Sequence, residues 1–258
     1  MILAIDMGNT NIVLGGIDEQ TVYFVERITT NQAKTDLEYA VNIKDILEIH
    51  QIAPETIEGA ILSSVVPPLN TTLLRAVEKI LDKRPLLVGS GMKTGINILM
   101  DNPKTVGSDM IVDAVAAIQE YPKPVIIVDM GTATTLSVVD KSGNYCGGVI
   151  LPGMKVSLDS LSGKTAQLPY ISLESPGNVI GKNTIDCMRS GIIYGNVDQI
   201  DGIIDRMEKE LGETASVVAT GGQARLIVPL CRHKIVYDDA LLLKGLLILY
   251  RKNTGREK

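Results

Sequence analysis

The chain has 258 residues, enough to bury a large core as one domain or as two smaller ones. Its 45% hydrophobic and 21% charged content is that of a globular protein, and a net charge of −5 with no Trp and a single Phe argues against a nucleic-acid surface of basic patches and stacking aromatics. Three widely spaced cysteines, Cys146, Cys187 and Cys231, form no CxxC pair and point to reduced, mostly buried thiols.

The chain opens on an apolar strand over residues 1–5, with no basic leader ahead of it. Residues 11–17 and 21–28 fit two further strands, with turn chemistry at Gly15-Gly16 and at Asp18-Glu19. The segment Asp6-Met7-Gly8-Asn9-Thr10 therefore links antiparallel strands and does not open a helix, which excludes a Rossmann or Walker loop. Leu37, Ala40, Ile43, Ile46 and Leu47 recur at helical spacing, so residues 37–49 read as a helix. Residues 60–66 read as a strand stopped by Pro67-Pro68, Asn70 caps a helix to residue 82, and residues 86–88 make a short strand. A loop rich in Gly, Asn and Lys fills residues 89–106. Ser108-Asp109 then caps a helix over residues 110–120.

Tyr121-Pro122-Lys123-Pro124 is a punctuated break and a candidate hinge. Beyond it the opening pattern returns: a strand at 125–128, a turn, a strand at 136–140, and a turn at Ser142-Gly143 into another strand. Gly147-Gly148 to Pro152-Gly153 reads as a glycine-rich connection. A long helical pattern covers residues 186–211 and ends at Gly212, a C-terminal capping glycine. Residues 215–219 form a strand that runs into Thr220-Gly221-Gly222, and residues 239–252 form a last helix. The most apolar late stretch, residues 241–250, is broken by Lys244 and Gly245 and is too short to span a bilayer, so a cytoplasmic location with no membrane role is expected.

Asp6-Met7-Gly8 and Asp129-Met130-Gly131 are thus the same motif at the end of two apolar strands, about half a chain apart. A carboxylate at the end of a buried strand is costly without a partner. Two of them suit a cation-bound polyphosphate, with the glycines letting backbone N–H groups approach phosphate oxygens.

The paired turns resemble the phosphate-binding hairpins of the actin, sugar-kinase and Hsp70-type ATPases, and Thr220-Gly221-Gly222 resembles their adenosine-contacting segment. Within that group the chain is similar to the type III pantothenate kinases over almost its whole length. The resemblance is carried by Asp6-Met-Gly-Asn-Thr-Asn11, Arg27-Ile-Thr-Thr30, Asn102-Pro103, Val106-Gly107-x-Asp109 and Asp129-Met-Gly-Thr-Ala-Thr-Thr135. Gly147-Gly148-x-Ile150-x-Pro152-Gly153, Thr165-Ala-Gln-Leu-Pro169, Asn183-Thr184, Ser190-Gly191 and Gly245-Leu246 extend it. It implies an α/β fold of two similar ribonuclease H-like (actin-like ATPase) domains, residues 1–118 and 119–258, each a mixed sheet flanked by helices. It also implies ATP-dependent phosphorylation of the primary hydroxyl of pantothenate, the first step to coenzyme A.

By the same resemblance Asp109 matches the general base. Asp6, Met7, Gly8, Asn9, Thr10, Asn11, Ile12 and Val13 match the ATP phosphate segment, with Asp6 reaching Mg2+ through water. Asp129 matches the holder of a monovalent cation (K+ or NH4+), and Gly131, Thr132, Thr220, Gly221 and Gly222 match nucleotide contacts. Met100, Gly107, Ser108, Met110 and Thr184 fall at substrate-contacting positions. A homodimer is implied, with the helix over 186–211 as a candidate interface or core helix.

The acceptor side departs from the family pattern. Met110 stands where the family has Arg, Met100 where it has Tyr, Thr105 where it has Glu and Asp113 where it has Asn. Loss of an arginine–carboxylate contact costs about 1.5–3 kcal/mol, which Lys93, Lys104 or Arg189 could offset. A kinase of another small alcohol and a non-catalytic nucleotide-binding protein are the alternatives these departures raise.

Overall fold

A computed structural model describes residues 1–255. In chain order the elements are β1 (Ile2–Met7), β2 (Asn11–Ile17), β3 (Val22–Thr29), α1 (Asp36–Ile49), β4 (Ala60–Ser64), α2 (Asn70–Leu81), β5 (Leu86–Leu87), β6 (Asn97–Ile98) and α3 (Ser108–Glu120). They continue with β7 (Val125–Met130), β8 (Ala133–Val139), β9 (Asn144–Pro152), α4 (Met154–Lys164), α5 (Thr184–Leu211), β10 (Ser216–Thr220), α6 (Ala224–Ile227), β11 (Ile235–Tyr237) and α7 (Leu241–Thr254). Among these residues no helix is long and apolar enough to cross a membrane.

The chain forms two compact units that are not contiguous halves. The first comprises Met1–Gly95, Asn102–Ala116 and the chain from Ala240 on; the second comprises Ile96–Asp101 and Ala117–Asp239. The C-terminal helix thus returns to the first unit, where Leu243 packs directly over Gly15 and Gly245 lies against Val112 of α3. A linear division near residue 118 misses this return, because the apolar face of α7 finds its partner far back in the sequence.

The first sheet has the order β3-β2-β1-β4-β5, and the second β11-β10-β7-β8-β9-β6. Reversed, the second repeats the first, with β7, β8, β9, β10 and β11 standing for β1 to β5 and β6 added at the edge. The pairings agree too: β1–β2 and β2–β3 are antiparallel and β1–β4 parallel, as are β7–β8, β8–β9 and β7–β10. The duplication read from two short motifs therefore extends to topology.

β1 and β7 sit inside their sheets and are covered on both faces, which is why each reads as a continuous apolar run. In the first unit Leu3, Ile5, Met7, Ile12, Leu14 and Phe24 join Tyr39, Ile43, Leu47, Leu73 and Val77 of α1 and α2 in one core. α1 starts at a capping box in which Glu38 N–H donates to Thr35 Oγ1 and Thr35 N–H donates to Glu38 Oε2. In the second unit Ile126, Val128, Met130, Leu136 and Val138 pack against Ile193, Val197, Ile200 and Ile204 of α5. α5 is capped by Asn183, which accepts from Asp186 N–H, and stops at Gly212 in the left-handed conformation.

Four local readings change. Gly147 to Pro152 is part of strand β9, not a connection. α4 follows it unforeseen, because its buried positions, Met154, Leu158 and Ser162, make a thin apolar stripe. β6 interrupts the expected loop with two residues that pair to Asn144 and Tyr145. The cysteines are free, but Cys146 and Cys187 are exposed and only Cys231 is partly covered.

Candidate active site

The first Asp-Met-Gly turn closes the β1–β2 hairpin. Met7 pairs with Ile12, which leaves Gly8, Asn9, Thr10 and Asn11 in the turn. Gly8 N–H donates to Asn11 O at 3.0 Å. Thr30, at the end of β3, holds the turn from one side: its N–H donates to Thr10 O at 3.0 Å and its Oγ1 to Gly8 O at 2.7 Å. A trans peptide points its N–H opposite to its C=O. Pinning the Gly8 carbonyl to Thr30 therefore turns the Asn9 N–H the other way, as an anion-binding turn needs.

β1 and β4 run parallel, with Asp6 beside Ser63 and Met7 beside Ser64. These strand ends receive α3. Ser108 Oγ accepts from Ser64 N–H at 3.1 Å, donates to Ser64 O at 3.0 Å, and lies 3.1 Å from Ser63 Oγ. Ser64 Oγ donates in turn to Asn70 Oδ1 at 2.6 Å. The first turn of α3, and with it Asp109, is thus bolted to the C-terminal edge of the sheet that carries Asp6, where ligands of open α/β sheets bind. Ser108 is helical and its hydroxyl is already bonded to Ser64, which fixes the start of α3 and with it Asp109.

Asp109 lies in the first helical turn, where its Oδ1 accepts from Met110 N–H at 2.8 Å. Burial pushes its carboxyl above the ordinary value of 3.8, against the lowering effect of that backbone hydrogen bond. Its carboxylate lies over Gly107: a Cβ there would come within 2.4 Å of Asp109 Oδ1. Gly107→Ala is therefore expected to push the carboxylate aside and lower kcat at least tenfold, with a melting temperature close to that of the parent; steady-state kinetics and a thermal melt check this.

The second turn is one residue shorter. Met130 pairs with Thr134, leaving Gly131, Thr132 and Ala133. Gly131 N–H donates to Ala133 O, and Gly153 N–H, at the end of β9, donates to Thr132 O. β10 runs parallel to β7 with Thr220 beside Asp129. Gly221 has φ +89°, and a Cβ on it would meet Asp129 Oδ1 at 2.6 Å and Met130 N at 2.7 Å. The Thr220-Gly221-Gly222 segment and the second Asp-Met-Gly turn are thus one construction, completed by Gln223 N–H donating to Met130 O at 3.4 Å.

The expected site residues fall into these two constructions with two exceptions, Met100 and Thr184. Asp6 to Val13 and Gly107 to Met110 belong to the first unit; Asp129, Gly131, Thr132 and Thr220 to Gly222 belong to the second. Met100 lies in the second unit with its sulfur over Gly147 of β9, apart from the Gly107 segment in the division of the chain. Thr184 is the first residue of α5 and lines a shallow apolar groove with Leu161, Leu168, Cys187, Met188 and Ile192. Arg189 is committed to Ser172 and Glu174, which removes it as a substitute for the missing arginine. Ser63 and Ser64 were not foreseen; a polar pair closing an apolar strand ahead of Pro67-Pro68 is the signal that marks them. Asn70, expected as a helix cap, is the first residue of α2 and accepts from Ser64 Oγ, with Leu69 in the cap position.

A family model of the type III pantothenate kinases matches residues 2–206. This chain belongs to the type III pantothenate kinase family. It is 47% identical over 253 residues to a type III pantothenate kinase of Exiguobacterium sp., covering 98% of this chain and 99% of that one. Among solved structures it is similar to component A of (R)-2-hydroxyglutaryl-CoA dehydratase from Acidaminococcus fermentans (TM-score 0.55, 15% identity, 100% and 99% of the two chains). It is also similar to MreB 5 of Spiroplasma citri bound to AMPPNP (TM-score 0.56, 10% identity, 98% and 97%). These distant likenesses carry the fold, that of the actin-like ATPases.

Proposed function

We propose that this family member transfers the γ-phosphoryl group of ATP to the primary hydroxyl of pantothenate. The observation that carries the reading is Asp109, a half-buried carboxylate of raised basicity anchored through Ser108 to the end of β4, beside the strand that carries Asp6. The near full-length relative at 47% identity favours pantothenate over another alcohol despite Met100 and Met110. A non-catalytic binder has no use for a base held in this way.

Asp109 takes the hydroxyl proton as the new oxygen–phosphorus bond forms and the bond to the β-phosphate oxygen breaks, and ADP leaves with that electron pair. Residues Asp6 to Val13 hold the phosphates. Asp6, a part-buried carboxylate beside the turn, suits a magnesium ion held through water, which neutralises the phosphate charge when bound. Thr132 and Gly131 contact the nucleotide, and Thr220, Gly221 and Gly222 its adenosine. Asp129 suits a potassium or ammonium ion: its carboxylate lies in the cradle that a Cβ on Gly221 would fill. Gly107, Ser108, Met110, Met100 and Thr184 serve the acceptor.

The chain works as a cytoplasmic homodimer, a reading supported by the apolar side chains left exposed along α4 and the start of α5, among them Val156, Leu161 and Ile185. The test is an ADP-release assay with and without pantothenate, run in potassium and in sodium buffer, with the mass in solution measured alongside. Pantothenate-dependent turnover that falls at least tenfold on replacing potassium supports the assignment. Turnover that ignores the cation removes the role of Asp129, and a monomer of full activity removes the dimer.

A further inference from the structure

We propose that Arg27 binds the polyphosphate of the nucleotide. The proposal rests on the kinase reading above and adds to it a residue of the phosphate side. The strand register places Asp6 opposite Val13, and Val13 opposite Arg27. Directly opposite residues of neighbouring strands project from the same face, so Asp6, Val13 and Arg27 form one row across β1, β2 and β3. The other face, with Met7, Ile12 and Phe24, is spent on the core under α1 and α2.

On β1 and β2 the cover of this face falls away toward the phosphate turn: Ala4 and Gly15 are buried, the latter under Leu243 of α7, while Asp6 and Val13 are half-buried. On the edge strand β3 the face is open throughout, with Tyr23, Val25 and Arg27 exposed. Strands about 4.8 Å apart put the backbones of Asp6 and Arg27 about 10 Å from each other, a gap that an extended arginine and a hydrated cation–polyphosphate fill between them. β3 then serves the turn twice: Arg27 offers charge, and Thr30, three residues on, pins the carbonyls of Gly8 and Thr10.

The side chain is also uncommitted. Arg251 is bound by Glu19 and Glu58, Arg189 by Glu174 and Arg232 by Asp205, but among the described residues no carboxylate pairs with Arg27. A planar guanidinium with no carboxylate partner among the described residues, in the row of the magnesium-side aspartate, matches the fork geometry of phosphate oxygens. A carboxylate on the acceptor would offer the same chemistry, so the test separates the two anions.

The experiment compares the parent with Arg27→Met and Arg27→Lys by equilibrium binding of a non-hydrolysable ATP analogue with magnesium, without pantothenate, and by steady-state KM for both substrates. For Arg27→Met the expected result is a rise of about 10- to 100-fold in the Kd of the analogue and in the KM for ATP. Arg27→Lys should fall between it and the parent. The Kd for adenosine, the KM for pantothenate and the melting temperature should stay within error of the parent. An unchanged Kd for the analogue, or a rise confined to the KM for pantothenate, would overturn the proposal. A parent chain that binds the analogue no better than adenosine would overturn the kinase reading itself.

Discussion

Asp109→Asn is expected to lower kcat by about 10²- to 10⁴-fold, the range for removing a positioned general base, while raising the melting temperature at neutral pH. Both effects come from one cause. Burial opposes ionisation of Asp109, so its carboxyl titrates above the value of an exposed aspartate. A group whose pKa is higher in the folded than in the unfolded chain binds more protons when folded. Its favourable contribution is present at low pH and is lost as pH rises through the folded value.

At neutral pH the ionised carboxylate therefore costs stability, and asparagine removes that cost while keeping an oxygen to accept from Met110 N–H. The stabilisation should shrink as pH falls and Asp109 becomes neutral in the parent as well. The kinetic counterpart is an acid limb in kcat/KM whose midpoint lies above 3.8, the ordinary aspartate value, and which disappears in the variant. Thermal melts and rate profiles across pH check both, and a variant that loses stability or keeps its activity contradicts the base assignment.

Gly221→Ala is expected to destabilise the second unit and to weaken nucleotide binding together. At φ +89° an L-residue is strained, by about 1–3 kcal/mol. The added methyl also meets Asp129 Oδ1 at 2.6 Å and the backbone of Met130 at about the same distance. The backbone cannot yield as a side-chain end does, so the Thr220-Gly221-Gly222 segment must move away from the second Asp-Met-Gly turn. The expected result is a melting temperature lower by about 2–12 °C, at about 2–4 °C per kcal/mol for a chain of this size, together with ATP binding weakened at least tenfold. Gly222→Ala is the control: a Cβ there meets nothing within 4 Å, so both quantities should stay close to the parent.

The sequence made the repeated parts of this fold legible and hid the parts that depend on distant partners. β1 and β7 were readable because strands covered on both faces must be apolar throughout, and because each ends in Asp-Met-Gly. The helix read over residues 186–211 was legible from its spacing and from Gly212, and it starts two residues earlier, at Thr184. The return of α7 to the first sheet was not, since nothing in residues 241–254 names Gly15 or Val112 as partners. The same holds for the site. Asp6, Asp109 and Asp129 stood out by motif, whereas the clasp of Ser108 on Ser63 and Ser64 joins residues more than forty positions apart. The unequal lengths of the two turns were also hidden, because register decides where a hairpin closes and the motifs alone are nearly identical.

That inequality gives physical content to the different roles proposed for the two aspartates: the four-residue turn after Asp6 is held open by Thr30, and the three-residue turn after Asp129 is packed against Gly221. The central claim, that this chain phosphorylates an alcohol with Asp109 as the base, is tested most directly by following the fate of the γ-phosphorus by phosphorus NMR during ATP turnover with pantothenate. The account predicts a phosphate monoester on the primary hydroxyl of pantothenate, formed in step with ADP and absent with Asp109→Asn. Release of the γ-phosphorus only as inorganic phosphate, at a rate indifferent to pantothenate, would contradict it.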